Sequence, residues 1–145
     1  MQTLTWTDEL ASVDWLALQA FYAAVPLGNK PAELLQTCFG NSRYRWLVRD
    51  GAGQIVGAGR VLSDGADCAY LCDVAVLPSH QGTGLGQAIV QRLVEQCRGH
   101  RKIILYAVPG KEGFYRRLGF RRMRTAMAIF DDEAAAIARG HVEGD

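Results

Sequence analysis

Apolar and polar residues alternate in "QTLTWT" near the start of the chain, which predicts a short strand. Asp8 then offers a cap for a helical stretch in which Leu10, Val13, Leu16, Leu18, Phe21 and Tyr22 recur as far as Ala24. Pro26, Gly28 and Pro31 break the chain, and "PAELLQTCFG" reads as a second short helix with proline at its first turn and Gly40 at its end. The β-rich runs "RYRWLVRD" and "QIVGAGRVLSD" flank a glycine-containing turn at residues 50–53 and predict a hairpin. "DCAYLCDVAVLP" follows as a further strand that Pro78 ends, because proline cannot donate to a ladder. From Gly84 to about Arg98, the residues Leu85, Ile89, Val90, Leu93, Val94 and Cys97 fall on one helical face. "RKIILYAV" then reads as a buried strand, "GKEGFYRRLGF" as a short helix closed at Gly119, and "RRMRTAMAIF" as a last strand. The alanine- and charge-rich tail from Asp131 to Asp145 predicts a surface helix that frays.

The order after Ala69 is strand, glycine loop, helix, strand, helix, strand. It predicts a mixed α/β domain with a strand–helix–strand crossover at its centre. With 145 residues, 49% of them hydrophobic, the chain holds enough apolar side chain for one core, so residues 1–145 are expected to form a single domain. A net charge of +1 gives no global field for nucleic acid or an anionic membrane, so neither is an expected partner and any anion must be held locally. Cys38, Cys68, Cys72 and Cys97 form no CxxC pair and do not stand at zinc-ligand spacing from His80, His100 or His141. No metal is expected, and the thiols fit a reducing compartment. "MQTLTWTDEL" has no basic start or apolar core of a signal peptide, and no run approaches the roughly 18 apolar residues of a membrane span. The expected location is the cytoplasm.

"SHQGTGLGQAIV" places Gly82, Gly84 and Gly86 immediately before the amphipathic helix. Backbone N–H groups at a helix start attract phosphate, and residues without side chains let an anion approach several of them. Tight packing alone also explains glycine-rich turns, so spacing by itself leaves both readings open. Gln87 stands where a dinucleotide fingerprint needs its third glycine, and "GTGLGQ" lacks the GK[ST] ending of a nucleoside-triphosphate loop.

"DVAVLPSHQGTGLGQAIVQRLV" resembles the acetyl-CoA signature of the GNAT superfamily of acyl-CoA-dependent N-acyltransferases, with Gln81, Gly82, Thr83, Gly84, Leu85 and Gly86 in the motif loop. "GFYRRLGF", residues 113–120, resembles the superfamily's second signature downstream. Together with "RVLSDGADCAYLCDVAVLP", these stretches are similar to small bacterial members of an arylamine or arylalkylamine acetyltransferase-like subgroup. The resemblance implies a central, mostly antiparallel twisted sheet with a parallel, splayed fourth and fifth strand and flanking helices. It implies acetyl-CoA (coenzyme A) as cofactor, a small-molecule amine or an exposed protein amine as acceptor, and a homodimer as a possible assembly.

Acetyl transfer from a thioester to an amine poses two proton problems: an alkylammonium near pKa 10.4 must lose a proton, and the departing thiolate gains one. Direct attack by a primary amine in a ternary complex needs no activated serine or cysteine. The resemblance puts the pyrophosphate over the loop from Gln81 to Gly86 and the pantetheine arm beside Val74, Ala75 and Val76, with Phe114 also against the cofactor. Tyr115 matches the tyrosine of the second motif and is the candidate general acid, since a phenol near pKa 10 suits donation to a thiolate. Its alternative is an aromatic core role shared with Phe114. Asp73 lies in the apolar run "YLCDVAV" and is the candidate base or acceptor-orienting group; pairing with an arginine such as Arg60 is the other reading. His80 is expected at the surface. Arg92, Arg116 and Arg117 are alternatives for the 3′-phosphate. Trp15, Phe21, Tyr22, Phe39 and Trp46 offer an aromatic wall for the acceptor, and Asp64 or Asp67 a carboxylate. Val108 stands where many relatives have asparagine seven residues before the motif tyrosine. A non-catalytic acyl-CoA-binding domain is the alternative function.

Overall fold

A computed structural model describes residues 3–27 and 29–145; Gln2, expected in the first strand, and Gly28, expected in a break between helices, lie outside them. The chain divides into two compact units, Met1–Leu105 and Tyr106–Asp145. In the first unit, β1 (Thr5–Thr7), β2 (Tyr44–Arg49), β3 (Ile55–Ser63), β4 (Cys68–Val76) and β5 (Lys102–Ile104) form one sheet in sequential order. All neighbours are antiparallel except β4 and β5, which are parallel. This is the mixed, mostly antiparallel sheet that the resemblance implies. β5 pairs only with Cys68, Ala69 and Tyr70. The expected strand "RKIILYAV" is thus much shorter than its apolar run, and β4 continues from Leu71 to Val76 with no β5 partner.

Helix α1 (Trp15–Ala23) packs on β3 and on α2 (Ala32–Gly40), while α3 (Leu85–Gln96) packs on β2, β3 and β4. The cap of α1 is Asp14, whose carboxylate accepts from Leu16 N at 3.1 Å and Ala17 N at 3.2 Å. Asp8 therefore does not start the helix, whose cap lies six residues later than the apolar periodicity predicts. Leu18, Phe21, Tyr22, Leu35 and Phe39 bury one face of the sheet; Leu85, Ile89, Val90 and Leu93 bury the other. Each such burial stabilises by about 1.5–3 kcal/mol. α3 lies close because β3 presents Gly57 and Gly59 to it. A Cβ on Gly57 would come within 2.9 Å of Ile89 Cδ1, and one on Gly59 within 3.0 Å of Ile89 Cγ2 and 3.1 Å of Leu93 Cδ1.

The second unit holds α4 (Glu112–Arg117) and α5 (Glu133–Ala138). "YRRLGF" closes α4 with a Schellman turn: Gly119, at φ 99°, donates to Arg116 O and Phe120 N donates to Tyr115 O. The ring of Phe120 then meets Tyr115, the apolar contact that accompanies this turn. α5 is capped by Asp132, which accepts from Ala135 N, and ends at Gly140 in the same way. Its Ala136 is buried, so the tail helix is anchored rather than frayed. The expected last strand "RRMRTAMAIF" does not form. Its residues pair with no strand among the described residues, and Met123, Met127 and Ile129 are exposed. A β-prone run becomes a strand only through a ladder, and here it has none.

Candidate active site

The loop after β4 is built by its own polar side chains. Pro78–His80 makes one 3-10 turn, then Gln81 Nε2 reaches back to Val76 O at 3.0 Å and Thr83 Oγ1 donates to His80 O at 2.5 Å. What Gln81 and Thr83 turn outward is backbone. Gly82 (φ 78°) and Gly84 (φ 87°) take left-handed conformations that a Cβ would strain, and a Cβ on either would meet open space. The glycines are therefore set by the turn and not by tight packing. Gly84 is the N-cap of α3; no side chain caps this helix and its first turn holds no acidic residue. Leu85 points into the core, while Gly86 is half-buried in the first turn. His80, expected at the surface, is buried, with Ser79 Oγ 2.9 Å from its Nδ1. The turn begun by Pro78 rolls the ring inward.

The strand before the loop carries a bulge. Ala58 pairs with Ala75 but Arg60 with Cys72, so Asp73 and Val74 together oppose Gly59. Asp73 takes φ 56°, a left-handed value that aspartate tolerates better than most residues. Three contacts hold it: Arg60 Nε on Oδ2 at 2.8 Å, Lys30 Nζ on Oδ1 at 3.3 Å, and Tyr22 Oη donating to its backbone O at 2.7 Å. Arg60 Nη1 also donates to Ser42 Oγ, which donates to Cys38 O. Burial opposes the charge on Arg60, but the Asp73 carboxylate outweighs it and holds the guanidinium above its usual pKa. Burial likewise pushes the Cys72 thiol up to about 11 and the Tyr22 phenol well above its ordinary range. Beyond the bulge, Leu77 N donates to Val56 O, so alternation gives Ala75 to the β3 edge. Val74 and Val76 turn their N–H and C=O groups to the other edge, where β5 has ended.

Tyr115 and Phe114 lie on α4 in the second unit, their rings 5.0 Å apart. Burial raises the Tyr115 pKa, so its hydroxyl keeps its proton at neutral pH. Arg116 and Arg117 are exposed. Arg92 instead lies over Trp6 at 4.0 Å and Trp46 at 5.0 Å, a cation–π stack that ties α3 to β1 and β2. Phe21, Tyr22 and Phe39 are core rather than an acceptor wall. Asp64 accepts from Ala66 N, Asp67 N and Cys68 N, which lowers its pKa to about 2, and Asp67 pairs with Lys102 at 3.1 Å. The Asp64 carboxylate thus closes the β3–β4 turn, and that of Asp67 ties the turn to β5. Lys30 carries no sequence signal beyond that of a basic residue in a loop.

Among the described residues, no group of three or more His, Cys, Asp or Glu is arranged to hold a metal ion, and no helix is long and apolar enough to cross a membrane. Residues 10–120 match the Acetyltransferase (GNAT) family, and the chain belongs to it. It is 40% identical over 109 residues to serotonin N-acetyltransferase 2, chloroplastic, of Oryza sativa subsp. japonica, covering 72% of this chain and 54% of the rice protein. It is 34% identical over 106 residues to GCN5-related N-acetyltransferase 1, chloroplastic, of Arabidopsis thaliana, covering 71% and 54%. The chain thus spans about half the length of these relatives. The solved GNAT family acetyltransferase of Streptococcus pneumoniae superposes with a TM-score of 0.75 at 25% identity, over 92% of this chain and 99% of that one.

Proposed function

We propose that the chain is an N-acetyltransferase that moves an acetyl group from acetyl-CoA to a primary amine by direct attack in a ternary complex. The observation that carries this reading is the uncapped start of α3 beneath open space at Gly82 and Gly84, within the family's motif. A diphosphate fits there. Gly82, Thr83, Gly84, Leu85 and Gly86 offer backbone N–H groups, the helix dipole adds a positive field, and no side chain intrudes. Gln81 braces the loop against Val76. Val74 and the N–H of Val76 offer the edge of β4 to an extended amide chain such as pantetheine, while the Val76 carbonyl is held by Gln81 and Ala75 anchors the strand from behind. Bound acetyl-CoA supplies the activated acyl group and a thiolate leaving group.

The remaining steps fall to side chains of this chain. Tyr115, protonated at neutral pH, is the group that returns a proton to the departing thiolate, with Phe114 packing beside it. Asp73 receives the acceptor. Arg60 already donates to its Oδ2 and Lys30 faces its Oδ1, so Asp73 orients the amine, and the proton that the acceptor ammonium sheds before attack passes to solvent water. The rice relative is named for serotonin, which favours an arylalkylamine over a protein amine. Release of free CoA thiol from acetyl-CoA across a panel of primary amines tests the reading. Amine-dependent release is expected. Stabilisation by acetyl-CoA without release from any amine would replace it with a non-catalytic binding domain.

A further inference from the structure

The two oxygens of Asp73 have different company. Oδ2 is held by Arg60, whose side chain is 10% exposed and is itself tied to Ser42. Oδ1 is met by Lys30 Nζ, from the loop between α1 and α2, on a side chain that is 25% exposed. The first cation is a fixed part of the bulge. The second is a compact ammonium at the end of a flexible four-carbon stem. Chemically it is a protonated primary alkylamine bound beside Val74, at the edge of β4 to which the acetyl donor is assigned.

We propose that Asp73 Oδ1 is the subsite for the protonated acceptor amine, and that Lys30 is a placeholder which the acceptor displaces. The identity of the ligand as an acceptor rests on the acetyltransferase reading; the subsite itself rests on the geometry. Exchange of one ammonium for another is nearly isoenergetic, because the ion pair lost with Lys30 re-forms on the same Oδ1 with the incoming ammonium. Arg60 stays in place during the exchange, and Tyr22 holds the left-handed backbone from behind, so Oδ1 keeps its aim. The subsite selects primary ammonium groups on an unbranched methylene, the form of the Lys30 terminus, over neutral alcohols of the same shape.

The test uses n-butylammonium chloride as the probe and n-butanol as its neutral match, at constant ionic strength and without acetyl-CoA. Binding is read from the melting-temperature shift over a concentration series. Lys30→Ala is expected to bind n-butylammonium about fivefold more tightly than the unaltered chain, because the competing ammonium on Oδ1 is gone. Lys30→Arg, which keeps a cation on Oδ1, is expected to stay near the unaltered value, and n-butanol should not distinguish the three proteins. In thiol-release assays with n-butylamine, Lys30→Ala should lower KM by a similar factor at unchanged kcat. Equal n-butylammonium affinity in Lys30→Ala and the unaltered chain overturns the proposal, as does a gain shared with n-butanol. A binding difference without thiol release from any variant would sink the acetyltransferase reading and leave the ammonium subsite standing.

Discussion

Asp14, at the start of α1, has φ −84° and ψ 104° and holds two first-turn N–H groups with its carboxylate; Gly84, at the start of α3, has φ 87° and ψ 0° and holds none. Both helices lie in the same unit and both pack an apolar face on the same sheet. α1 reaches its first turn from extended backbone, the conformation in which a short polar side chain can fold onto the N2 and N3 amides. α3 is entered through a left-handed residue, from which a side chain is not aimed at those amides. The difference teaches that one helix start is closed for stability, while the other is left without a side-chain cap, its donors and dipole available to the diphosphate proposed above.

Gly84→Glu attacks the open end. A left-handed glutamate costs about 1–2 kcal/mol, and its charge occupies the place given to the diphosphate. Acetyl-CoA affinity by calorimetry should fall about a thousandfold, as expected when several hydrogen bonds to a charged ligand are lost, while circular dichroism reports a folded chain. Retained affinity would break the contrast between the two helices.

Tyr115→Phe separates the helix end from the chemistry. Thiol release should fall about a hundredfold, the lower range for loss of a general acid, with acetyl-CoA affinity unchanged. An unaltered rate removes Tyr115 from the mechanism.

Tyr22→Phe sharpens the structural side. Loss of the hydrogen bond to Asp73 O should destabilise by about 2 kcal/mol in urea titrations. Because burial raises the Tyr22 pKa, its contribution is fully present below about pH 10 and is lost as pH rises through the folded value. The unaltered chain should therefore lose stability in strong alkali more steeply than the variant. Asp14→Ala is the mildest change: about 1 kcal/mol of stability lost, with acetyl-CoA affinity untouched. A matching loss of affinity would show that the two helix starts are coupled.

Much of the first unit was legible because it follows local rules. The hairpin, the amphipathic α3 and the stop at Pro78 are written as period, turn residues and a missing donor. The left-handed Gly82 and Gly84 could be read as a loop, and the downstream "GFYRRLGF" supplied the second motif. Its glycine and final phenylalanine prove to encode the Schellman turn that ends α4. The misplaced elements are those that depend on distant partners. "RRMRTAMAIF" has strand propensity without a ladder, and β5 stops at Ile104 although its apolar run continues. The environment of Asp73 was half legible: pairing with Arg60 was among the alternatives, but Tyr22 and Lys30 lie 51 and 43 positions away, and no local pattern joins them or marks the bulge. Asp8 lost the helix cap to Asp14 because two candidate caps precede one apolar run, and only backbone geometry chooses between them.

The two glycines of β3 carry a consequence for sequence drift. Gly57 and Gly59 lie far in sequence from the motif loop, yet an alanine at 57 would press on Ile89 and on Leu85, the first residue of α3. The neighbours would have to yield by a few tenths of an ångström, an adjustment a sheet-and-helix core absorbs while staying folded. Whatever part of that adjustment the Leu85 and Ile89 side chains do not absorb falls on the row of amides at the head of α3, in a site that works by position. Loss-of-function alleles are therefore expected in "IVGAGRV", in proteins that accumulate to normal levels and never lose a residue of the motif.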